Sequence, residues 1–329
     1  DVTRTPVSDR DGDGAVDHAR IGAIWRDSAP LWRNAARYAA HSIAHHSEFT
    51  GLPYAWPHMT AVEGGGIIGG GMEFPMMTLI GDYNERGDTA LYAVTAHELA
   101  HMWVPMMVAN NERRYAWMDE GTTTFNENQA KKDFYPGFDW DIPEQESYID
   151  VARAELEGSL MTFSDYHVPG PAYGIASYDK PGTVLAALRA MLGEDVFMRA
   201  YHAYFDRWAF KHPYPWDFFR TFEDVSGRDL DWFWRSWYYE TWLLDQAIAE
   251  VRVEGERSTI VVEDRGRVPM PVPLSIRCRN GETIERTLPV DPWLAGHRRT
   301  STEIECAVGG ADVLQQRGDG DARGLWRHQ

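Results

Sequence analysis

His97, Glu98 and His101 form the pattern H-E-x-x-H, and further along Glu120 sits in Trp117-Met118-Asp119-Glu120-Gly121. Two imidazoles and a carboxylate are the donor set of a catalytic Zn²⁺ site that keeps one position open. On a helix of about 3.6 residues per turn, His97 and His101 lie one above the other and can present two nitrogens to a single ion. Glu98 falls on the flank of that face, where its carboxylate can take a proton from water held at the open position. The chemistry implied is zinc-assisted hydrolysis, with His97, His101 and Glu120 as metal ligands, one ion per chain, and Glu98 as the base.

Such a motif has to be carried by a helix, and its surroundings predict one over residues 88–107. Asp88 is a plausible N-cap, glycine is absent inside, Leu91, Val94, Leu99, Met102 and Met106 recur near helical spacing, and Pro105 stands close to the end. A buried helix with two hydrogen-bonded histidines is the bland alternative, and Glu120 with its surroundings argues against it.

H-E-x-x-H followed by the glutamate of a W-x-x-E-G block resembles the gluzincin zinc metallopeptidases of the aminopeptidase N family, which have a thermolysin-like catalytic domain. Gly70-Gly71-Met72-Glu73-Phe74-Pro75 resembles the family's G-x-M-E-N motif, and Ser177-Tyr178-Asp179-Lys180-Pro181-Gly182 resembles its Y-x-K-G-A segment. The resemblance covers about residues 30–243 and continues more loosely beyond. It implies that Tyr178 is the phenolic donor to an oxyanion, with Tyr173 beside Gly174 as a competitor for that role. It also implies that Glu73 binds the free α-amino group of the substrate, with Gly71 and Met72 as neighbouring substrate-binding residues.

The activity implied is removal of N-terminal residues from peptides. An endopeptidase or other gluzincin hydrolase is the enzymatic alternative, and a peptide-binding homologue without turnover is another, against which the intact Glu98 argues. Three departures from the family pattern bear on specificity: Gly71 replaces alanine, Phe74 replaces asparagine, and Pro181-Gly182 stands where Gly-Ala is usual.

The elements that position these residues are readable at coarse grain. Strands are expected at 59–68 and 74–80, followed by helices after the zinc helix at 120–132, 144–157, 180–192, 194–208, 216–225 and 230–240, with an earlier helix over 30–46. Few strands and many helices make an α+β fold, a thermolysin-like domain over residues 30–243. Residues 1–29 read as the residual hairpin of an N-terminal β-domain. From about residue 249 short alternating runs replace helices, and Asn280-Gly281 between two of them is a strong hairpin signal, so a small β-sandwich-like module is expected over 244–314, with a tail at 315–329. Alternation points Cys278 and Cys306 inward, as buried thiols or as a disulfide.

With 43% hydrophobic and 13% aromatic residues, the 329-residue chain can bury a sizeable core. Acidic residues outnumber Lys and Arg by 50 to 32, a net charge of −18 that argues against a nucleic-acid partner. Peptides are the expected partners, and the oligomeric state is not readable. No apolar run approaches the ~18 residues of a membrane span. The start Asp1-Val2-Thr3 looks processed, and an extracytoplasmic location, periplasmic or secreted, is favoured over the cytoplasm.

Two further groups invite ions. Asp9-Arg10-Asp11-Gly12-Asp13-Gly14-Ala15-Val16-Asp17 is close to a Ca²⁺ loop, although Arg20 stands where its acidic twelfth position belongs and the same residues make a hairpin turn unaided. His41, His45 and His46 include a pair one helical turn apart, but no third ligand is apparent, and a solvated helix face is expected.

Overall fold

The computed structural model describes residues 2–7 and 15–313. They form a mixture of helices and sheets divided into two compact units, Asp1–Leu185 with Asp195–Gly227, and Ala186–Glu194 with Arg228–Gln329. Most of the calcium-loop expectation, residues 9–14, and the tail at 315–329 lie outside the described residues. Among the described residues no helix is long and apolar enough to cross a membrane.

In the first unit, β1 (Val2–Pro6) and β2 (His18–Ile24) form an antiparallel hairpin. β2 runs parallel to β3 (His58–Glu63), β3 runs parallel to β5 (Met77–Ile80), and the short β4 (Gly71–Met72) closes the edge antiparallel to β5. The order is β1-β2-β3-β5-β4, so the hairpin strands β1 and β2 share this unit's sheet. The strand expected over 59–68 stops at Glu63, where the Gly64 amide turns onto the Ile80 carbonyl and the Glu63 carboxylate is held by Arg26 at 2.7 Å. The strand expected over 74–80 begins only at Met77.

α1 (Ala35–Thr50) and α2 (Asp88–Ala100) pack on this sheet, and α3 (Thr122–Phe134) packs against both helices. Ala61 and Ile80 from the sheet, Tyr38 from α1, Leu91, Tyr92 and Ala96 from α2, and Ala130 from α3 join one buried cluster. Tyr92 stacks on Phe134 with ring centroids 4.2 Å apart, and Tyr38 meets both rings edge-on. Such aromatic pairs add about 0.5–1.5 kcal/mol each beyond area burial, so they pin the three helices together. The histidine face of α1 belongs to this packing and is not the solvated face expected. His46 is buried with Nε2 at 3.0 Å from the Ala96 carbonyl, and His41 Nε2 lies 2.8 Å from Asp133 Oδ2.

α2 differs from its sequence reading at both ends. Asp88 is its first residue, preceded by Gly87 at φ 88°, a backbone angle that suits glycine. The helix ends at Ala100 instead of near residue 107. Pro105 has no N–H to offer the His101 carbonyl, and the Met106 amide reaches that oxygen instead at 3.1 Å. Beyond α3, α4 (Ile142–Arg153) follows, then helices at Lys180–Leu192, Glu194–Trp208 and Pro215–Ser226.

The second unit contains β6 (Gln246–Glu254), β7 (Arg257–Asp264), β8 (Val272–Cys278), β9 (Thr283–Leu288), β10 (Arg299–Ile304) and β11 (Val308–Val313). They pair antiparallel as two three-stranded sheets, ordered β10-β7-β6 and β11-β8-β9. Ile260 and Val262 of β7, Leu274 and Ile276 of β8, and Ile304 of β10 point into one shared core, as alternating residues on half-buried strands should. Asn280-Gly281 does join β8 to β9, with Gly281 at φ 91°. Cys278 and Cys306 are joined in a disulfide within this unit.

Candidate active site

His97 lies in the last turn of α2 and His101 caps its C-terminal end. Glu120 comes from a separate element, the π-helical turn Trp117–Gly121 that leads into α3. Wide turns of this kind often occur at functional sites because the extra residue re-aims a side chain. Ligand atoms of the three residues lie within 4.8 Å of one another, and Glu120 Oε2 is 3.2 Å from Nε2 of each histidine.

The opposite ring nitrogens are taken. His97 Nδ1 donates to Glu127 Oε2 at 3.0 Å. His101 Nδ1 donates to the Val104 carbonyl at 2.9 Å, while Asp119 Oδ1 lies 2.9 Å from the same nitrogen and supplies charge beside it. With Nδ1 fixed as a donor, each Nε2 is the nitrogen turned toward Glu120, and it is the one whose lone pair a metal takes up once its proton is displaced.

Electrostatics point the same way. Burial would lower the His97 pKa, but hydrogen bonds to Glu120 and Glu127 raise it to about 10. His101 is likewise raised against burial, by Asp119 and Glu120. Glu120 is held below the usual carboxylate range by the two imidazoles, and Glu127 is lowered to about 2 by Lys131 and His97, both against burial. One buried ring and one partly buried ring thus sit among three carboxylates that favour positive charge. A dication binding there would displace the ring protons and satisfy the same carboxylates, and two nitrogens with one oxygen suit zinc.

Glu98 is buried, and its Oε2 has no hydrogen-bond partner among the described residues. Burial pushes its pKa up to about 7, opposed by His97 and His101, which suits a group that exchanges protons near neutrality. Its carboxylate shares a second cluster with Glu73 and His101, again within 4.8 Å. Tyr178 stands on another π-helical turn, Ile175–Asp179, and its hydroxyl donates to Glu120 Oε1 at 2.7 Å. Burial, then the Glu120 charge, pushes this phenol up, so it remains a donor. Tyr173, the competitor, packs its ring against His167 at 6.0 Å.

The two π turns pack against each other because Gly121 has no side chain. A Cβ there would run into the Pro181 ring and lie 3.0 Å from the Ser177 carbonyl. Pro181 replaces the glycine of the motif, and Gly121 provides its space. Gly71 and Met72 form edge strand β4, Glu73 follows half-buried, and the Met72 side chain is exposed while its carbonyl accepts from Thr78 Oγ1 at 2.9 Å.

The structure therefore gathers His97, Glu98, His101, Glu120, Tyr178, Glu73 and Gly71 into one locality. Sequence reading missed Glu127, Asp119 and Val104, which hold the histidine rings, and Lys131, whose Nζ is 2.9 Å from Glu127 Oε1. The available signal was position: Asp119 adjoins Glu120, and Glu127 and Lys131 follow at near-whole turns of the same helix.

This combination of fold and site is that of a family of zinc-dependent peptidases, and the chain belongs to it: the Peptidase family M1 domain matches residues 35–237. A probable aminopeptidase 1 of Sulfurisphaera tokodaii is 25% identical over 237 residues, 68% of this chain and 30% of its own length. Leucine aminopeptidase 2-1 of Meyerozyma guilliermondii is 29% identical over 187 residues, 52% of this chain and 30% of its own length. A crystal structure of Legionella pneumophila aminopeptidase A in complex with aspartic acid matches with a TM-score of 0.67 and 16% identity, covering 93% of this chain and 36% of that one, a likeness of fold. The chain spans 30% of the length of each of these two curated relatives.

Proposed function

We propose that this chain is the catalytic part of a zinc-dependent aminopeptidase, a thermolysin-like domain over residues 30–243 followed by a β-sandwich-like module over 244–314. The observation that carries the reading is the cluster itself: His97, His101 and Glu120 with donor atoms within 4.8 Å, both Nδ1 atoms engaged, and the buried carboxyl of Glu98 beside them. Bound by these three residues, zinc would supply a Lewis acid that acidifies water and polarises a carbonyl.

The chain's own residues account for the rest. β4 lies at the edge of its sheet, where an extended peptide can add alongside it. Glu73, which has no paired cation among the described residues, accepts charge-assisted hydrogen bonds from the substrate's α-ammonium group and so fixes which peptide bond is presented. Glu98 takes a proton from the attacking water and passes it to the leaving amine. The Tyr178 hydroxyl, turned from Glu120 toward the substrate, donates to the oxyanion that forms. The Cys278–Cys306 pairing supports an extracytoplasmic location, where disulfides persist.

Glu98→Gln tests the reading. The variant is expected to keep one zinc per chain by metal analysis and to lose hydrolysis of an aminoacyl nitroanilide by about 10²–10⁴-fold; unchanged turnover rejects it. Comparing a free peptide with its N-acetylated form then tests Glu73. Trimming of the free form alone is expected, and equal cleavage of both would favour the endopeptidase alternative.

A further inference from the structure

We propose that Gly71 is a positioning residue for the base: the notch its missing side chain leaves in β4 is what houses the Glu98 carboxyl group. The inference rests on the reading of Glu98 as the proton acceptor and deepens it. A Cβ built on Gly71 would run into Oε1, Cδ and Cγ of Glu98, so three atoms of the acid fill the space that any other residue would claim. Gly69 and Gly70, by contrast, have nothing among the described residues within reach of an added Cβ. The demand at position 71 is for room alone, because Gly71 is not among the residues with positive φ.

Both walls of the notch are fixed. β4 is held by its pairing of Gly71 with Ile80 and Met72 with Leu79, by the Gly81 amide on the Gly70 carbonyl at 2.9 Å, and by the Thr78 hydroxyl on the Met72 carbonyl. The backbone of Glu98 lies inside α2, between the histidines. The end of the Glu98 side chain is therefore what can yield. Its Oε2 has no hydrogen-bond partner among the described residues, so packing in the notch constrains the carboxyl's direction. A methyl group at position 71 would swing the carboxyl away from its station while leaving strand and helix in place. The alanine of the related motif is thus not neutral in this chain.

Gly71→Ala is the direct test. Since misplacing a catalytic group by about 1 Å can cost ~10²-fold, kcat is expected to fall about 10–100-fold, with KM within about twofold and both zinc content and Tm unchanged. A kcat within about twofold of the parent overturns the proposal. Glu98→Asp, which retracts the carboxyl by one methylene, is expected to cost a smaller factor in the Gly71→Ala background than alone; equal factors overturn it as well. Should Gly71→Ala lower Tm, the loss is expected to vanish in a Glu98→Ala background, and persistence there refutes crowding by Glu98. A parent protein with no hydrolysis would sink the reading of the site, whereas an active parent with an equally active Gly71→Ala sinks only the notch.

Discussion

At the scale of single residues, the two histidines are held unequally. His101 Nδ1 has a main-chain carbonyl and a carboxylate beside it, fixed by the turn that follows α2. His97 Nδ1 depends on one side chain, Glu127, itself partly buried and tied through Oε1 to Lys131. Removing Glu127 frees the His97 ring and takes away an anion that favours a cation in the site, and outer partners of this kind are worth roughly 10–100-fold in metal affinity. Glu127→Ala is expected to weaken zinc binding by about that factor in competition with a chromogenic chelator. Affinity unchanged within about twofold would mean that α2 alone orients His97. The ligands were legible in the sequence because H-E-x-x-H and W-x-x-E-G each pack several constraints into a few residues. Glu127 was not, because a carboxylate that orients a ring is marked only by the distance across two helices.

At the scale of elements, the same network joins α3 to α4. Lys131 Nζ lies 3.4 Å from Glu144 Oε1, and Glu144 Oε2 is buried without a hydrogen-bond partner among the described residues. Burial pushes the Glu144 pKa up to about 7, with Glu127 and Asp141 adding to the rise and Lys131 opposing it. A folded-state pKa above the unfolded value means that the folded protein holds this proton more tightly. The stabilisation is therefore fully present below the unfolded pKa of about 4.5 and is lost as pH rises through about 7, a difference on the order of 3 kcal/mol. Glu144→Gln removes the titration. Relative to the variant, the parent is expected to lose stability between about pH 5 and pH 8 in urea unfolding, and parallel profiles for the two proteins would refute the buried neutral acid. Elements were legible where apolar periodicity is strong, as in the helices Glu194–Trp208 and Pro215–Ser226, expected at 194–208 and 216–225. The turns carrying Glu120 and Tyr178 were not, because one extra residue per turn leaves no repeat to detect, and β4 is too short to alternate.

At the scale of the whole molecule, the change from helical to alternating pattern near residue 249 marked the β-rich part of the chain, and alternation turned Cys278 and Cys306 inward. Direction does not decide oxidation, because two inward thiols and a disulfide have the same pattern. The structure joins them across a sequence separation of 28, within the unit whose shared core they enter. Closing a loop of that length removes chain entropy from the unfolded state worth about 3–4 kcal/mol in the simple model, a large share of the stability of a small β unit. The candidate site residues all belong to the other unit. Unfolding without reductant is therefore expected to expose no titratable thiol, and reduction to expose two. Paired Cys278→Ser and Cys306→Ser substitutions are expected to lower the first melting transition while kcat and zinc content stay within about twofold of the parent. Two thiols titrating before reduction would refute the pairing and remove its support for an extracytoplasmic location; loss of zinc in the double variant would mean that the β-rich unit maintains the site and not only itself.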